Sequence, residues 1–401
     1  MSEVFKAARV TDHVYWVGAI DRSLREFHGH LTSRGTTYNA YLILADKITL
    51  VDTVRAPFEE EMLSRIASVI DPGVITYIIS NHSEMDHSGC LPEVIDAVKP
   101  AKVFASVMGV NALAEHFHLD RKIVAVKDGE SISLGNMNLS FVETRMLHWP
   151  DSMFTYLAED GVLFSQDVFS MHLASSKRFD DEIDDDILED EAAKYFANIL
   201  LPLSTPVTKL VDKIGKLGIT KGIVATAHGP IWRKHVKRIV KLYSRWAAQK
   251  PTKKAAVVYD TMYQSTATMA RAIAEGLKAG GADARLMPLR ECHRTDVATE
   301  MLDAGALLVG SPTLNNNLFP SVADALTYLK GLKPRNLIGA AFGSYGWSGE
   351  AVGQVEDVLR EMKVDLIGES IKVKYVPDNE ALARCYSLGM LVARRLNELC
   401  R

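Results

Sequence analysis

Residues 74–89 read "VITYIISNHSEMDHSG". The run Val74–Ser80 is apolar and β-branched, the pattern of a buried strand, and a turn residue, Asn81, follows at once. Within the next six positions stand His82, Glu84, Asp86 and His87, two imidazoles and two carboxylates. Side chains on a loop that leaves a rigid strand can converge on one point. The stretch therefore predicts a strand whose end carries a metal-binding loop.

The neighbouring sequence supplies layers for such a strand. "YNAYLILADKITLVDT" (Tyr38–Thr53) reads as paired strands around an Asp46–Lys47 turn. "PFEEEMLSRIASVI" follows with helical spacing of its apolar residues and Pro57 at a helix start. Beyond the metal loop come a helix from Leu91, the strand "KVFAS", the hairpin-like "GESISLGNMNLSFVETRM" and the strand "GVLFSQD". Meandering strands with interspersed helices predict a sandwich of sheets flanked by helices. The acidic run opening "DDEIDDDILEDEAAKYFANIL" reads as a solvated helix start, its carboxylates at the positive end of the dipole.

Three more candidate ligands lie beside strand ends or turns: His148 in "RMLHWPDS", Asp167 in "LFSQDVF" and His228 in "ATAHGP". The full set has four imidazoles and three carboxylates. It divides evenly between two ions if Asp167 bridges them. Each ion then receives two histidines, one terminal carboxylate and one bridge oxygen, with coordination positions left open. A thiolate-free set of nitrogen and hard oxygen donors suits iron or manganese at least as well as zinc. Structural zinc more often has a closed, cysteine-rich site. Asp52 in "LVDT" reads as a support behind the ligands, and His28, His172 and Tyr195 as proton donors or gates beside them.

The second half begins at a clear break. A basic amphipathic helix runs to about Gln249, Lys250–Lys254 interrupts it, and a buried-type strand opens at Ala255. Strands and helices then alternate: Ala255–Asp260, helix Thr268–Ala279, strand Ala284–Met287, "AGALLVGS", helix "SVADALTYLKGL", "NLIGAAFGS", a helix near Gly349–Met362, "KVKYV" and a terminal helix. That order predicts a parallel, doubly wound sheet. The domains are accordingly 1–250 and 251–401. The first turn of the second, "DTMYQSTA", offers hydroxyls and a helix N-terminus to a phosphate. It is neither G-x-G-x-x-G nor a P-loop, which disfavours a dinucleotide or triphosphate site. "GSPTLNNNLFP" and "FGSYGWSGE" also follow strands, where such a sheet forms its ligand crevice, and Gly310, Gly343, Gly346 and Gly349 allow close backbone approach to a planar ring.

H-x-E-x-D-H followed by a distant His, Asp and His resembles the metallo-β-lactamase superfamily, whose usual hydrolytic motif is H-x-H-x-D-H. Here Glu84 replaces the second histidine. A carboxylate adds charge and hardness, which favours an iron pair over a zinc pair. The H-x-E-x-D-H form, with the spacing of His148, Asp167 and His228, resembles the flavodiiron proteins. The loop Thr261–Thr266 is similar to the flavodoxin phosphate loop [ST]-x-T-G-x-T, with Tyr263 and Gln264 at the usual Thr and Gly places. The resemblance implies an α/β and α+β chain, an N-terminal metallo-β-lactamase-like αββα sandwich followed by a flavodoxin-like doubly wound parallel sheet. It implies two iron ions on His82, Glu84, Asp86, His87, His148, Asp167 and His228. It implies FMN held by Thr261, Met262, Tyr263, Gln264, Ser265 and Thr266, by Pro312, Thr313, Leu314, Asn315 and Asn316, and by Gly343, Ser344, Tyr345, Gly346 and Trp347.

The stretches "ETRMLHWPDSM", "GTTYNAYL" and "FGSYGWSGE" look closest to family members that reduce O2 to water with electrons from rubredoxin; other relatives reduce nitric oxide to N2O. Reduced FMN stores two electrons and a di-ferrous pair two more, the four that one O2 requires. The family likeness also implies a head-to-tail homodimer, or a dimer of dimers, in which one chain's flavin reaches the other's irons. A dinuclear zinc hydrolase with a flavodoxin-like passenger is the alternative from another class, and Glu84 argues against it.

Composition bounds the remaining classes. The 401 residues are 47% hydrophobic and 24% charged, as in ordinary globular proteins, and suffice for two or three cores. A formal net charge of -4 argues against nucleic acid as the partner. No apolar stretch approaches the roughly 20 residues that span a bilayer, and "MSEVFKAARVTDHVYWVGAI" lacks a signal peptide's apolar segment, so a cytoplasmic protein is expected. Cys90, Cys292, Cys385 and Cys400 are scattered and form no C-x-x-C, which excludes a rubredoxin-type iron built into this sequence. The donor is therefore a separate molecule, and the basic stretch Arg233–Arg245 could guide an acidic one.

Overall fold

The computed structural model describes residues 5–119, 121–216 and 222–401, so the first four residues of the N-terminal stretch read above lie outside the described range. The chain separates into two compact units: residues up to Tyr195 with Thr205–Ser244, and Phe196–Ser204 with Arg245–Arg401. The second unit thus takes in Arg245–Lys250 and the insert Phe196–Ser204, which a cut at 250/251 assigns to the first. Local contacts explain the difference: Trp246 packs on Phe196 with ring centroids 5.5 Å apart, and the buried Gln249 side chain donates to Ser204 Oγ (2.8 Å) and accepts from Arg335 N (2.7 Å).

In the first unit, a seven-stranded sheet runs in the spatial order Ala8–Arg9, Val14–Trp16, Tyr41–Ile43, Thr49–Val51, Tyr77–Ser80, Lys102–Ser106 and Val124–Val126. Its first four strands pair antiparallel, and the rest add in parallel. A five-stranded sheet follows in the order Ser131–Ser133, Asn138–Glu143, Met153–Leu157, Val162–Gln166 and Ile223–Thr226. Successive side chains of a strand point to opposite faces, and the core obeys that alternation. Tyr41, Ile43, Val51, Tyr77, Ile79 and Phe104 meet Phe141, Met153, Leu157 and Phe164 between the sheets. Their neighbours Leu42, Leu50, Ile78, Val103 and Ala105 face the other way, onto Met62, Ile66, Leu91, Val94 and Leu113 of the helices Glu59–Ala67, Leu91–Val98 and Val107–Phe117. Both faces of the central strands are buried, which is why they read as continuous apolar runs. The αββα sandwich is as the sequence predicts.

The second unit is a parallel sheet in the order Asp283–Pro288, Lys254–Tyr259, Ala306–Gly310, Ile338–Tyr345, with Asp365–Leu366 and Ile371–Lys374 sharing the far edge. This is the doubly wound order expected. The first helix starts at Ser265, three residues before the predicted Thr268, and the sequence reading missed the helix Arg294–Glu300 and the hairpin Thr313–Leu314 with Asn317–Leu318. The helices Ser265–Ala279 and Asn379–Leu399 cross closely through glycines: a Cβ on Gly276 would lie 2.0 Å from Tyr386 O, and one on Gly389 2.2 Å from Ile273 O. Among the described residues, no helix is long and apolar enough to cross a membrane.

One expectation fails locally. The acidic run is not solvated throughout, because Asp180 is 0% exposed. Its carboxylate accepts the backbone N–H groups of Arg233 (2.9 Å), Lys234 (3.2 Å) and His235 (2.6 Å), just before the helix Val236–Ala248. Consecutive amides at a helix start favour an anion, and the nest repays the carboxylate's desolvation. Replacing Asp180 with Ala strands those amides in the interior, so Asp180→Ala should lose on the order of 3 kcal/mol in urea unfolding. A change below about 0.5 kcal/mol would show that water takes the place of the carboxylate.

Candidate functional site

Three strands of the first unit deliver the predicted ligands from their C-terminal ends. Tyr77–Ser80 leads into His82, Glu84 and the one-turn helix Met85–Ser88, which presents Asp86 and His87. Val162–Gln166 ends one residue before Asp167, and Ile223–Thr226 two before His228. His148 comes from the loop between Asn138–Glu143 and Met153–Leu157.

All seven residues meet, in two groups. His82 Nε2 and His148 Nε2 lie 3.2 and 2.9 Å from Glu84 Oε2, and 3.5 and 3.4 Å from Asp167 Oδ2. His87 Nε2 lies 3.3 Å from Asp86 Oδ1 and His228 Nε2 3.2 Å from Asp86 Oδ2; both are 3.3–3.4 Å from Asp167 Oδ1. One oxygen of Asp167 therefore faces each group. Within each group the candidate donor atoms lie within 4.8 Å of one another.

A test of fit comes from polar atoms without partners. Both oxygens of Asp86, both ring nitrogens of His87 and Asp167 Oδ2 are buried, and none has a hydrogen-bond partner among the described residues. Folding leaves buried carboxylate oxygens unsatisfied only where another charge compensates them. Two cations, one in each His–His–carboxylate group, satisfy every one of these atoms except His87 Nδ1. Nitrogen and hard oxygen donors without thiolates fit iron.

Outer contacts orient the ligands. Asp151 Oδ2 lies 3.1 Å from His82 Nδ1 and accepts Ser83 N–H at 2.6 Å. His228 Nδ1 donates to Thr37 O at 2.6 Å. Each contact turns Nε2 of its ring toward the centre. Asp52 grips Asn81 through the backbone N–H (2.7 Å) and side-chain amide (3.0 Å), one residue before His82. Of the predicted gates, His28 Nε2 is 2.8 Å from Glu84 Oε1 and Tyr195 Oη donates to Asp167 Oδ1 at 2.9 Å. His172 instead bonds Thr36 Oγ1 (2.9 Å) and packs its ring 4.9 Å from that of His228. The sequence reading missed Asp151, although it stands three residues after His148 in "HWPDS" and its carboxylate was the available signal.

Electrostatics follow from the crowding. Burial alone would lower His148 and His228, but Asp167, with Glu84 beside His148 and Asp86 beside His228, raises them to about 9 and about 10. Burial would raise Glu84, but hydrogen bonds from His148, His28 and His82 outweigh it and hold the carboxyl far below its usual range. Burial raises Asp52 to about 6, even against the Asn81 hydrogen bonds and the nearby charges of His87 and His82. Burial and the Asp167 charge push the Tyr195 phenol well up, so its hydroxyl remains a donor. Burial, reinforced by His228 and His30, pushes His172 well down and keeps it neutral.

In the second unit, a cavity of about 460 Å³ lies between residues 262, 263 and 265, 312–316, 344–348 and 375–376. Three of its four walls are the three predicted loops. Trp347 and Tyr263 stand beside it 86% and 90% exposed, large aromatic faces of the kind that bind planar rings. Thr261, Gln264, Thr266 and Gly343 lie outside its lining. Thr266 Oγ1 joins Ser344 Oγ at 3.0 Å and ties the first loop to the third. Gln264 takes the left-handed conformation at φ 67°, as a glycine at that place would. Gly310 and Gly343 serve packing rather than ring approach: a Cβ there would lie 2.4 Å from the Phe342 ring and 1.9 Å from Ser311 O. Ser348 lies in the stretch "FGSYGWSGE" read above, whereas Tyr375 and Val376, which complete the walls, were not read as site residues from the sequence. The signal available was the end of "KVKYV", the last strand of the sheet.

Comparison with known proteins agrees with this division. Residues 36–229 match the family described as ODP family beta lactamase, and residues 257–389 match the flavodoxin family. The chain is 46% identical to a nitric oxide reductase of Moorella thermoacetica, over 96% of this chain and 98% of that protein. Its structure is similar to rubredoxin oxygen:oxidoreductase from the anaerobe Desulfovibrio gigas, with TM-score 0.96, 42% identity and coverage of 98% and 99% of the two chains. It is also similar to the flavodiiron protein from Giardia intestinalis, with TM-score 0.94, 34% identity and coverage of 100% and 99%.

Two outcomes follow from the site. Because the free ligand cluster holds protons on His148 and His228 up to about 9 and about 10, metal entry has to displace them. Fe(II) or Zn(II) uptake by demetallated protein near neutral pH should therefore release protons, and affinity should climb with pH until those histidines titrate unaided. Calorimetry in buffers of different ionisation enthalpy measures this, and proton-silent uptake contradicts it. Asp151→Asn should weaken metal binding about tenfold to hundredfold in chelator competition, since His82 loses its charged anchor. Unchanged affinity would mean that packing alone orients the ring.

Proposed function

The chain belongs to the flavodiiron protein family, and on that premise we propose that it reduces O2 to water at a di-iron site with electrons passed from rubredoxin through FMN. The observation that carries the reading is the division of Asp167, with Oδ1 facing His87 and His228 and Oδ2 facing His82 and His148. A bridge of that kind suits a metal pair and has no use in a single-ion site.

When bound, the iron pair and FMN supply the four electrons that one O2 takes up on becoming two waters. The iron pair would be held by His82, Glu84, Asp86, His87, His148, Asp167 and His228 of the domain 1–250. FMN would be held by the domain 251–401, with Ser265 and the helix start it begins at the phosphate and Trp347 at the ring. The chain's own residues attend to position and protons. Tyr195 Oη, a donor to Asp167 Oδ1 at 2.9 Å, limits the swing of the bridging carboxylate. His28 is raised above its ordinary value, chiefly by the Glu84 hydrogen bond, and its side chain is 65% exposed. It can therefore take a proton from solvent and hold it on Nε2 against Glu84 Oε1 at the edge of the site. His172, buried and neutral beside His228, adds no charge to the interior.

A second reading is nitric oxide reduction to N2O, favoured by the Moorella relative at 46% identity. The same seven residues would serve it. A zinc hydrolase is disfavoured by Glu84, whose carboxylate stands where a zinc hydrolase of the related motif places a histidine. Rubredoxin as a separate donor fits a sequence with four scattered cysteines. We place the protein in the cytoplasm as a head-to-tail homodimer, which pairs one chain's FMN with the other's irons.

Stopped-flow mixing of the fully reduced protein tests the reading. With O2, FMN should reoxidise rapidly, consuming four electrons per O2 and leaving no peroxide. Slow reaction with O2 together with rapid N2O formation from nitric oxide would replace oxygen reduction by the second reading.

A further inference from the structure

Where strand Lys254–Tyr259 ends, an acidic residue sits next to the loop proposed above for the flavin phosphate. Asp260 is only 3% exposed, and its carboxylate is fully engaged. Oδ1 accepts Thr261 N–H at 2.6 Å and Arg290 Nε at 2.9 Å, and Oδ2 accepts Ser321 Oγ at 2.5 Å. Arg290 Nη2 also donates to the carbonyl of Thr261. The amide groups on both sides of Thr261 are therefore held, one by Asp260 and the other by Arg290. Arg290 follows the strand Asp283–Pro288 and Ser321 lies in the first turn of the helix Pro320–Leu332, so three elements fix the start of the loop.

A second observation fits a phosphate held at this loop. The Thr261 hydroxyl is buried and has no hydrogen-bond partner among the described residues, although both peptide groups of its residue are held. It stands before the start of a fifteen-residue helix, Ser265–Ala279, whose first amides favour an anion. A buried carboxylate beside a phosphate would repel it. Arg290 offsets that charge, and its fork spans carboxylate and carbonyl together, which a lysine cannot reproduce.

We propose that Asp260 and Arg290 are positioning residues that set the selectivity of the loop for a phosphorylated flavin over riboflavin, by fixing the Thr261 peptide and cancelling the charge next to the phosphate. This rests on the FMN reading above. Neither residue lines the cavity read above as the flavin's, so the effect belongs to the phosphate half of the ligand alone.

Flavin binding to the full-length, iron-loaded chain after removal of its own flavin tests this, with FMN and riboflavin titrated separately by fluorescence quenching. Arg290→Gln leaves the Asp260 charge uncompensated and the Thr261 carbonyl free. FMN affinity should fall about tenfold to hundredfold while riboflavin affinity stays within about threefold. The double variant Asp260→Asn, Arg290→Gln should recover part of the FMN affinity, because the repulsion goes with the carboxylate. Arg290→Lys should fall between wild type and Arg290→Gln, and serves in its place should that variant not fold. Equal losses for both flavins, or no recovery in the double variant, would mark the pair as mere loop scaffolding and overturn the proposal. If the wild-type chain bound neither flavin, the FMN reading itself would fail, and that result is distinct from the others.

Discussion

A single carboxylate, that of Asp167, has one oxygen facing each of two imidazole pairs. Everything around the site serves that division. Seven ionisable side chains are drawn into one interior, where an unpaired charge costs several kcal/mol even after relaxation. They persist there because opposite charges alternate: each terminal carboxylate lies between two imidazoles, and Asp167 lies between the two groups. Remove the bridge and neither group keeps its balance. The high proton affinity of His148 and His228 and the low one of Glu84 both follow from this crowding.

Holding such a cluster requires a scaffold whose strands end together. The two sheets of the first unit provide it, because their facing side chains fill the space between them and bring Tyr77–Ser80, Val162–Gln166 and Ile223–Thr226 to one end. Backbone contacts close the rim: Met153 N donates to Asn81 O and Ala227 N to Gln166 O. The outer anchors then work on rigid ground. Asp52 fixes Asn81, Asp151 fixes His82 and the Thr37 carbonyl fixes His228.

The second unit solves a milder problem, since its cavity lies at the ends of parallel strands, with left-handed residues at Gln264, Asn315, Asn316 and Tyr375 shaping its walls. Gln264 accepts a left-handed conformation that a glycine would take without strain. The compensation is visible next to it: Thr266 is tied to Ser344, and Thr261 is clamped between Asp260 and Arg290. A loop that departs from the usual flavodoxin sequence thus keeps its course through contacts with other elements.

The sequence by itself determined the two kinds of layer, the order of the strands and the ligand chemistry. Apolar runs and their alternation dictate which faces are buried, and a strand end followed by H-x-E-x-D-H puts four donors on one short loop whatever surrounds it. The local periods that carry this information are short enough to read along the chain. What only the tertiary structure decided are the pairings between distant residues. Asp180 looked solvated within its acidic run but is buried under the amides of Arg233, Lys234 and His235. Asp151, Asp260 and Arg290 carried no signal beyond their residue types, and Gly310 and Gly343 turned toward neighbouring protein atoms rather than a ligand. Composition and spacing report how a residue relates to its neighbours in the chain, whereas a hydrogen bond across 30 or 69 positions exists only once packing has brought its two ends together.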